Sequence, residues 1–588
     1  MSSLSNIFRG AAVWSAIAVI GAVGNAAAAT SGPEGEPGLQ ADIQGATLKP
    51  GSATAGRFLA ARHAEVVGDV VSAADLTAGI IAEVSDYGNN RRRAHLIMVS
   101  AGRFEMAADL ARDVIKSNPA DPLAIYTLYV EAMRAGRFDE ALELPERVPT
   151  SGINGIVVPL LKAWALAGLE QTDTALLMLE KLAGSNGLAP IAGLHQGLIA
   201  HIGGDTGRAE QAFRLALEKS NGRPSLQLVD SFARFLVEQG QNAEAAELVN
   251  QFTIQNPDTL LIDPVKRVVA GDVEPVKTIG DVQQGAAEVF RNISGLLNRE
   301  RLRTESMIFV RMSLGLESNN PTALYSLGQL LEARSRADLA IDVYRQIATD
   351  TPYHWYARLS IADALNGQEK SDPAIEILRA MAVEREDRSD AVRALADVLR
   401  ISERFDEAVE AYDLAFERQG RPVDWRLLYT RGIALERAKI WDRAEKDFLE
   451  ALALEPDQPL VLNYLGYSWV EQGIELERAR AMIETAVAKR PNDGYITDSL
   501  GWVLYRLGQY PAAVEHLERA VALEPGDPVI NDHLGDAYWL AGRKQEARFQ
   551  WVRALSLNPE PEAATEIRMK IDGEKAPEPL PPGKKRDI

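Results

Sequence analysis

The stretch Leu500-Gly501-Trp502-Val503-Leu504-Tyr505-Arg506-Leu507-Gly508-Gln509-Tyr510-Pro511-Ala512-Ala513-Val514-Glu515-His516-Leu517-Glu518-Arg519-Ala520-Val521-Ala522-Leu523-Glu524-Pro525 decides the fold. Small residues stand in it at fixed intervals: Gly501, Ala513 twelve further on, and Ala520 seven after that. Two helices can approach closely only where their facing side chains are small. Gly501 on a first helix and Ala513 on a second supply such a pair, and Leu500, Leu504 and Leu517 fill the space between them. Gly508 suits the left-handed residue that ends a helix. Pro511 falls in the first turn of the next helix, where its missing N–H costs nothing. Pro525 stops that helix. The stretch therefore predicts an antiparallel helical hairpin.

The same frame recurs outward from it. Gly328, Ala362, Ala396, Gly432, Gly466, Gly501 and Gly535 are spaced by 34, 34, 36, 34, 35 and 34 residues. The second small residue follows at Ala340, Ala374, Ala408, Ala444, Ala479, Ala513 and Ala547, and closing prolines stand at Pro456, Pro491, Pro525 and Pro559. The first half of the chain holds looser copies. These are Ala101-Gly102-Arg103-Phe104 with Ala107, Ala135-Gly136-Arg137-Phe138 with Ala141, Gly197 with Ala209 and Ala216, and Ala233 with Ala245. Gln284 to Leu316 reads as one more hairpin, with Ser306 and Ser313 in the small positions, whereas Asp258 to Gly280 leaves the frame.

A period near 34 with this pattern resembles the tetratricopeptide (TPR) repeat. The resemblance implies an all-α TPR solenoid of about twelve antiparallel hairpins forming a superhelix. Each repeat in such an array touches only its neighbours, and the concave face serves for protein binding. The expected organisation is a signal peptide or N-terminal anchor (1–29), a flexible linker (30–53), a degenerate array (54–257), an irregular joint (258–284), a second array (285–571) and a disordered tail (572–588).

Charge and composition narrow the partners. The 588 residues carry 63 basic and 83 acidic side chains, a formal charge of -20, and such a surface repels phosphate backbones and anionic lipids. There is no cysteine, which excludes disulfides, a thiolate metal site, a cysteine nucleophile and acylation of a lipoprotein cysteine. No phosphate-binding glycine loop, zinc-protease helix or nucleophile elbow occurs, and the seven histidines are scattered. No catalytic residue, cofactor or metal is expected, and the chain reads as a non-enzyme.

Arg9, the apolar run Ala11 to Val23 and the small residues of Asn25-Ala26-Ala27-Ala28-Ala29 read as an export signal, cleaved near Ala27 or Ala29. An uncleaved inner-membrane anchor is the alternative, because the run falls near the lower end of the ~17–25 residues that span a bilayer. The expected location is the periplasm or cell envelope.

One constellation suggests a binding face. If positions 5, 9 and 12 of the first helices point inward, the last three repeats present Asn463 and Tyr467, then Asp498, Trp502 and Tyr505, then Asp532, Asp536 and Trp539. Aromatic anchors beside carboxylates suit a peptide or helix that carries apolar and basic groups. The alternative is that the aromatics simply pack between neighbouring helices. Because this wall is acidic, it does not match the carboxylate-gripping clamp of chaperone-binding repeats.

Asn463-Tyr464-Leu465-Gly466-Tyr467, Thr497-Asp498-Ser499-Leu500-Gly501-Trp502 and Asn531-Asp532-His533-Leu534-Gly535-Asp536-Ala537-Tyr538-Trp539 resemble the last repeats of long TPR envelope proteins of Gram-negative bacteria. The similarity reaches to the lipoprotein adaptors of a carboxy-terminal processing serine protease. It implies an adaptor that docks such a protease and its substrates, although the lipid-bearing cysteine of those lipoproteins is absent here. A scaffold for envelope or polysaccharide assembly and export machinery is the alternative reading.

Overall fold

The computed structural model describes residues 53–83, 90–184, 187–257, 259–420 and 423–578. The expected export signal and nearly all of the expected linker lie outside these residues, as does the end of the tail. Among the described residues there are thirty α-helices and no strand. Two helices, Asp263–Val269 and Pro561–Asp572, stand alone, and the others follow one another as fourteen successive pairs, against the twelve or so expected. The chain divides into two compact units, Ser31–Ile377 and Leu378–Ile588, with the boundary inside the helix Ser371–Glu384.

The small residues act as the spacing predicts. A Cβ added at Gly501 would lie 2.5 Å from the Leu517 side chain, and one at Gly535 would lie 2.4 Å from the Trp551 ring. Gly328 faces Tyr344 and Gly432 faces Phe448 in the same way. In each pair the glycine is on the first helix of the hairpin and the large side chain is on the second, seated where a methyl group would stand. Gly508 and Gly542 adopt φ of +75° and +84° just past the ends of their helices, which only glycine does without strain.

In the first unit the hairpin of Val282–Arg299 and Arg303–Leu316 leaves the nearest-neighbour order. It lies along the first helices of the preceding hairpins. Phe290 meets Tyr126 and Tyr129 edge-on at 6.3 and 6.2 Å, and Phe309 meets Tyr126 at 6.1 Å. A Cβ on Gly285 would fall 2.2 Å from the Trp164 ring. Gln283 donates to the Met133 carbonyl at 3.3 Å, and Arg291 donates to Gln227 at 2.9 Å. Phe290, Ile293, Leu297, Ile308, Phe309 and Met312 belong to one continuous core with the helices they touch. The inner face of this array is filled by the chain's own hairpin.

The expected joint at 258–284 is more ordered than its sequence suggests. It contains the helix Asp263–Val269, and its flanks are tied down within the first unit. The Leu260 amide donates to the Tyr356 hydroxyl at 2.9 Å, Ser231 and Thr278 share a hydrogen bond of 2.7 Å, and Lys277 donates to the His201 carbonyl at 2.8 Å. The segment carries the chain from the end of the first six hairpins to the inner hairpin they enclose.

Candidate functional site

The helices Pro459–Gln472, Gly494–Arg506 and Pro528–Leu540 of the second unit carry the residues expected to form a binding wall. Each starts at a polar cap. Gln458 accepts from the Leu460 amide, Asp493 from Ile496, and Asp527 from Val529 and Ile530. Such caps satisfy N–H groups that the helix itself leaves open.

The eight expected residues are brought together on these helices, but most face the neighbouring helix more than solvent. Asn463, Tyr467, Asp498, Tyr505 and Asp536 are buried, whereas Trp502, Asp532 and Trp539 are half-buried. Asp498 receives Nδ1 of His533 at 3.1 Å from each of its oxygens. The His533 ring lies flat on Trp502, with centroids 4.0 Å apart and planes 13° apart. Trp502 in turn stacks on Tyr505 at 4.6 Å and 7°. Its indole N–H donates to Glu471 at 2.7 Å. Asp532 and Asp536 both hold the Lys570 ammonium, at 2.8–2.9 Å. Trp551 donates to Asp536 at 3.0 Å, and Trp539 packs against Trp551 at 5.5 Å with the Lys544 ammonium 4.9 Å from its ring.

The electrostatics follow from these contacts. Burial disfavours a charge on His533, but the Asp498 carboxylate beside it more than offsets this, and its pKa is held up at about 9. Burial, reinforced by the charge of Asp532, raises the Asp536 carboxyl to about 6 despite Lys570. Burial also opposes the Lys570 charge, and the two aspartates reverse that effect, so its pKa lies above the ordinary lysine value. The wall thus contains ion pairs closed within the chain, while Trp502, held between His533 and Tyr505, and Asp532 and Trp539 are only partly accessible.

Sequence reasoning missed the internal partners. His533 and Lys570 answer Asp498 and Asp536 from 35 and 34 residues further on, one repeat period in each case, so the signal was present in the spacing. Lys570 lies on the unpaired last helix, Pro561–Asp572, which occupies the place of a next first helix. The buried carboxylates of the wall therefore find their partners inside the chain.

The inner face of the first unit has a different character. Trp164 donates to Nδ1 of His195 at 3.0 Å, and burial lowers the pKa of this histidine to about 3, so it stays neutral. His95 contacts the Thr127 hydroxyl at 2.8 Å and is lowered by burial to about 4. Among the described residues no group of three or more His, Asp or Glu side chains is placed to hold a metal ion, and no helix is long and apolar enough to cross a membrane.

The repeat pattern has counterparts among known proteins. The tetratricopeptide-repeat family profile matches residues 160–224, 313–354, 393–459, 470–528 and 499–560. The TPR repeat-containing protein PA4667 of Pseudomonas aeruginosa is 38% identical over 96 residues, which span 16% of this chain and 16% of that protein. Among solved structures, MamA (residues 41 to the end) from Desulfovibrio magneticus RS-1 is similar at 22% identity. The match covers 29% of this chain and 96% of MamA, with a TM-score of 0.27. The Cut9–Hcn1 hetero-tetramer of the APC/C is similar at 15% identity, covering 84% of this chain and 98% of that one, with a TM-score of 0.37. The described residues form an all-α helical-repeat solenoid, and the tetratricopeptide-repeat profile matches segments of both compact units.

Proposed function

We propose that the chain is a non-enzymatic adaptor of the cell envelope that holds a protein segment on the first helices of its last three repeats. The observation that carries this reading is a contrast between two inner faces. In the first unit that face is filled by the hairpin Val282–Leu316, whereas in the second Trp502, Asp532 and Trp539 remain partly accessible. Aromatic rings already held by packed neighbours make good anchors, since little side-chain freedom is lost when a partner contacts their accessible edges.

The partner proposed is a carboxy-terminal processing serine protease, delivered together with substrates such as cell-wall hydrolases. Support comes from the sequence pattern of the last repeats and from an N-terminus that reads as an export signal. The test is recovery of partners from an envelope extract by the parent protein and by Trp502→Ala. Asp532 is left intact because it holds Lys570 and the last helix. Recovery of a processing protease by the parent and its loss with Trp502→Ala supports the adaptor and its site. Recovery of envelope-assembly components without a protease would replace this partner with the scaffold reading.

A further inference from the structure

The second helix of the inner hairpin, Arg303–Leu316, carries a cation that the chain does not answer. Arg311 is half-buried, and its Nε is sealed from solvent with no hydrogen-bond partner among the described residues. Its Nη1 and Nη2 are also unpaired there but keep accessible surface, so the fork of the guanidinium can be reached from solvent. Arg291, Arg400 and Arg431 show the usual arrangement for an enclosed arginine. Arg291 pairs with Glu288, Arg400 lies 3.7 Å from Asp397, and Arg431 donates to Asp447 at 2.7 and 2.9 Å.

The head of Arg311 lies against the turn that follows the helix Arg91–Ser100. A Cβ added at Gly102 would stand 3.2 Å from Nη1, so the bare glycine makes room for the guanidinium. One turn further along the helix, Gly315 receives the Phe104 ring, which a Cβ there would meet at 2.8 Å. Burial alone pulls the pKa of Arg311 down to about 10, and no carboxylate is near enough to raise it again. The group is still charged at neutral pH. The acids of the neighbouring helices and turns are engaged elsewhere, Asp75 with Arg103 and Asp69 with Arg336. An enclosed charge without a partner lowers stability. Where a chain keeps one with its donors still reachable, function is the expected reason.

We propose that Arg311 anchors a second binding site, at the junction of the inner hairpin and the Gly102 turn, and that this site takes a single carboxylate. Nη1 and Nη2 match the two oxygens of a carboxylate in a planar, two-point contact. One positive charge balances one negative charge. A phosphate dianion would call for a second cation, and a chain with a formal charge of -20 repels polyanions. Arg311 is on the second helix of its hairpin, unlike the first-helix residues of the wall, and the site does not depend on that wall docking a partner. The carboxylate belongs to a small organic acid or to an acidic side chain of a bound protein segment. Water at the guanidinium is the competing occupant.

The full chain and its Arg311 variants are melted in sodium acetate, chloride and phosphate at matched ionic strength. They are also melted with a short capped peptide holding one glutamate, and with its glutamine counterpart. Acetate is expected to raise the thermal midpoint of the parent by about 2–4 °C more than that of Arg311→Met, with chloride acting on both alike. Without ligand, Arg311→Met should melt no lower than the parent, because it removes an unpaired charge. Arg311→Lys keeps the charge but not the fork, and it should need about tenfold more acetate for the same rise. That variant keeps the test decisive if Arg311→Met does not fold. A glutamate peptide that acts at lower concentration than acetate, with the glutamine peptide inert, supports the site and names a protein segment as the source. Acetate acting without the peptide supports it with a small acid as the source. Equal responses of the parent and both variants to acetate overturn the proposal, because the guanidinium then holds only water. A larger response to phosphate than to acetate, lost in Arg311→Met, overturns the carboxylate assignment.

Discussion

A Cβ on Gly285 would stand 2.2 Å from the Trp164 ring, and that ring is fully buried and hydrogen-bonded to His195, so it has nowhere to go. Gly285→Ala should therefore destabilise the first unit by about 1–3 kcal/mol through overpacking, measured as a drop in the denaturant midpoint. His533 gives a prediction of the pH dependence. Its pKa is about 9 in the folded chain against an unperturbed value near 6.5, so the folded state holds the proton more tightly. The stabilisation from its pair with Asp498 is complete below about pH 6.5 and is lost as the pH rises through 9. Melting curves of the parent and of His533→Gln should accordingly differ most at pH 6 and converge by pH 10. The packing glycines were legible in the sequence, because small residues recurring once per repeat mark the points where paired helices touch. The histidine pair was legible only as a separation of one repeat period, since which side chains meet across two helices shows only once their rotation is known.

The hairpin is the unit that the sequence declares best, because its two small positions, its αL glycine and its closing proline are all local. The helix Pro561–Asp572 lacks a second helix and buries only Ala564 and Ile567, so its docking depends heavily on Lys570. Removing one member of a buried ion pair costs up to about 3–5 kcal/mol. In Lys570→Ala we expect amide exchange across residues 561–572 to speed up strongly while that of Gly494–Arg506 changes little, as read by hydrogen exchange with mass spectrometry. The inner hairpin Val282–Leu316 is the element whose placement could not be read. Its partners are distant and follow no repeat period: Asn292 lies 97 residues from His195, and Gln283 lies 150 residues from Met133. A periodic pattern reports contacts between neighbours in a stack, and these are not contacts between neighbours.

For the molecule as a whole, the two units make different use of the same repeat. The first closes its inner face on its own chain and gains a core there. Phe290→Ala should cost about 3–5 kcal/mol in the stability of that unit and leave capture of partners from an envelope extract unchanged, checked by denaturation and pull-down on one preparation. The second unit keeps aromatic rings at the edge of its wall, backed by ion pairs that hold its first helices in register. The measurement that tests this division most directly is photo-crosslinking in living cells. A benzoylphenylalanine replaces Trp539 on the wall or, separately, Phe549, which is 75% exposed on the second helix of the same hairpin. The account predicts a covalent adduct with a second protein from position 539 and none from position 549. An adduct from position 549 alone would contradict it and move the docking surface to the outer face of the stack.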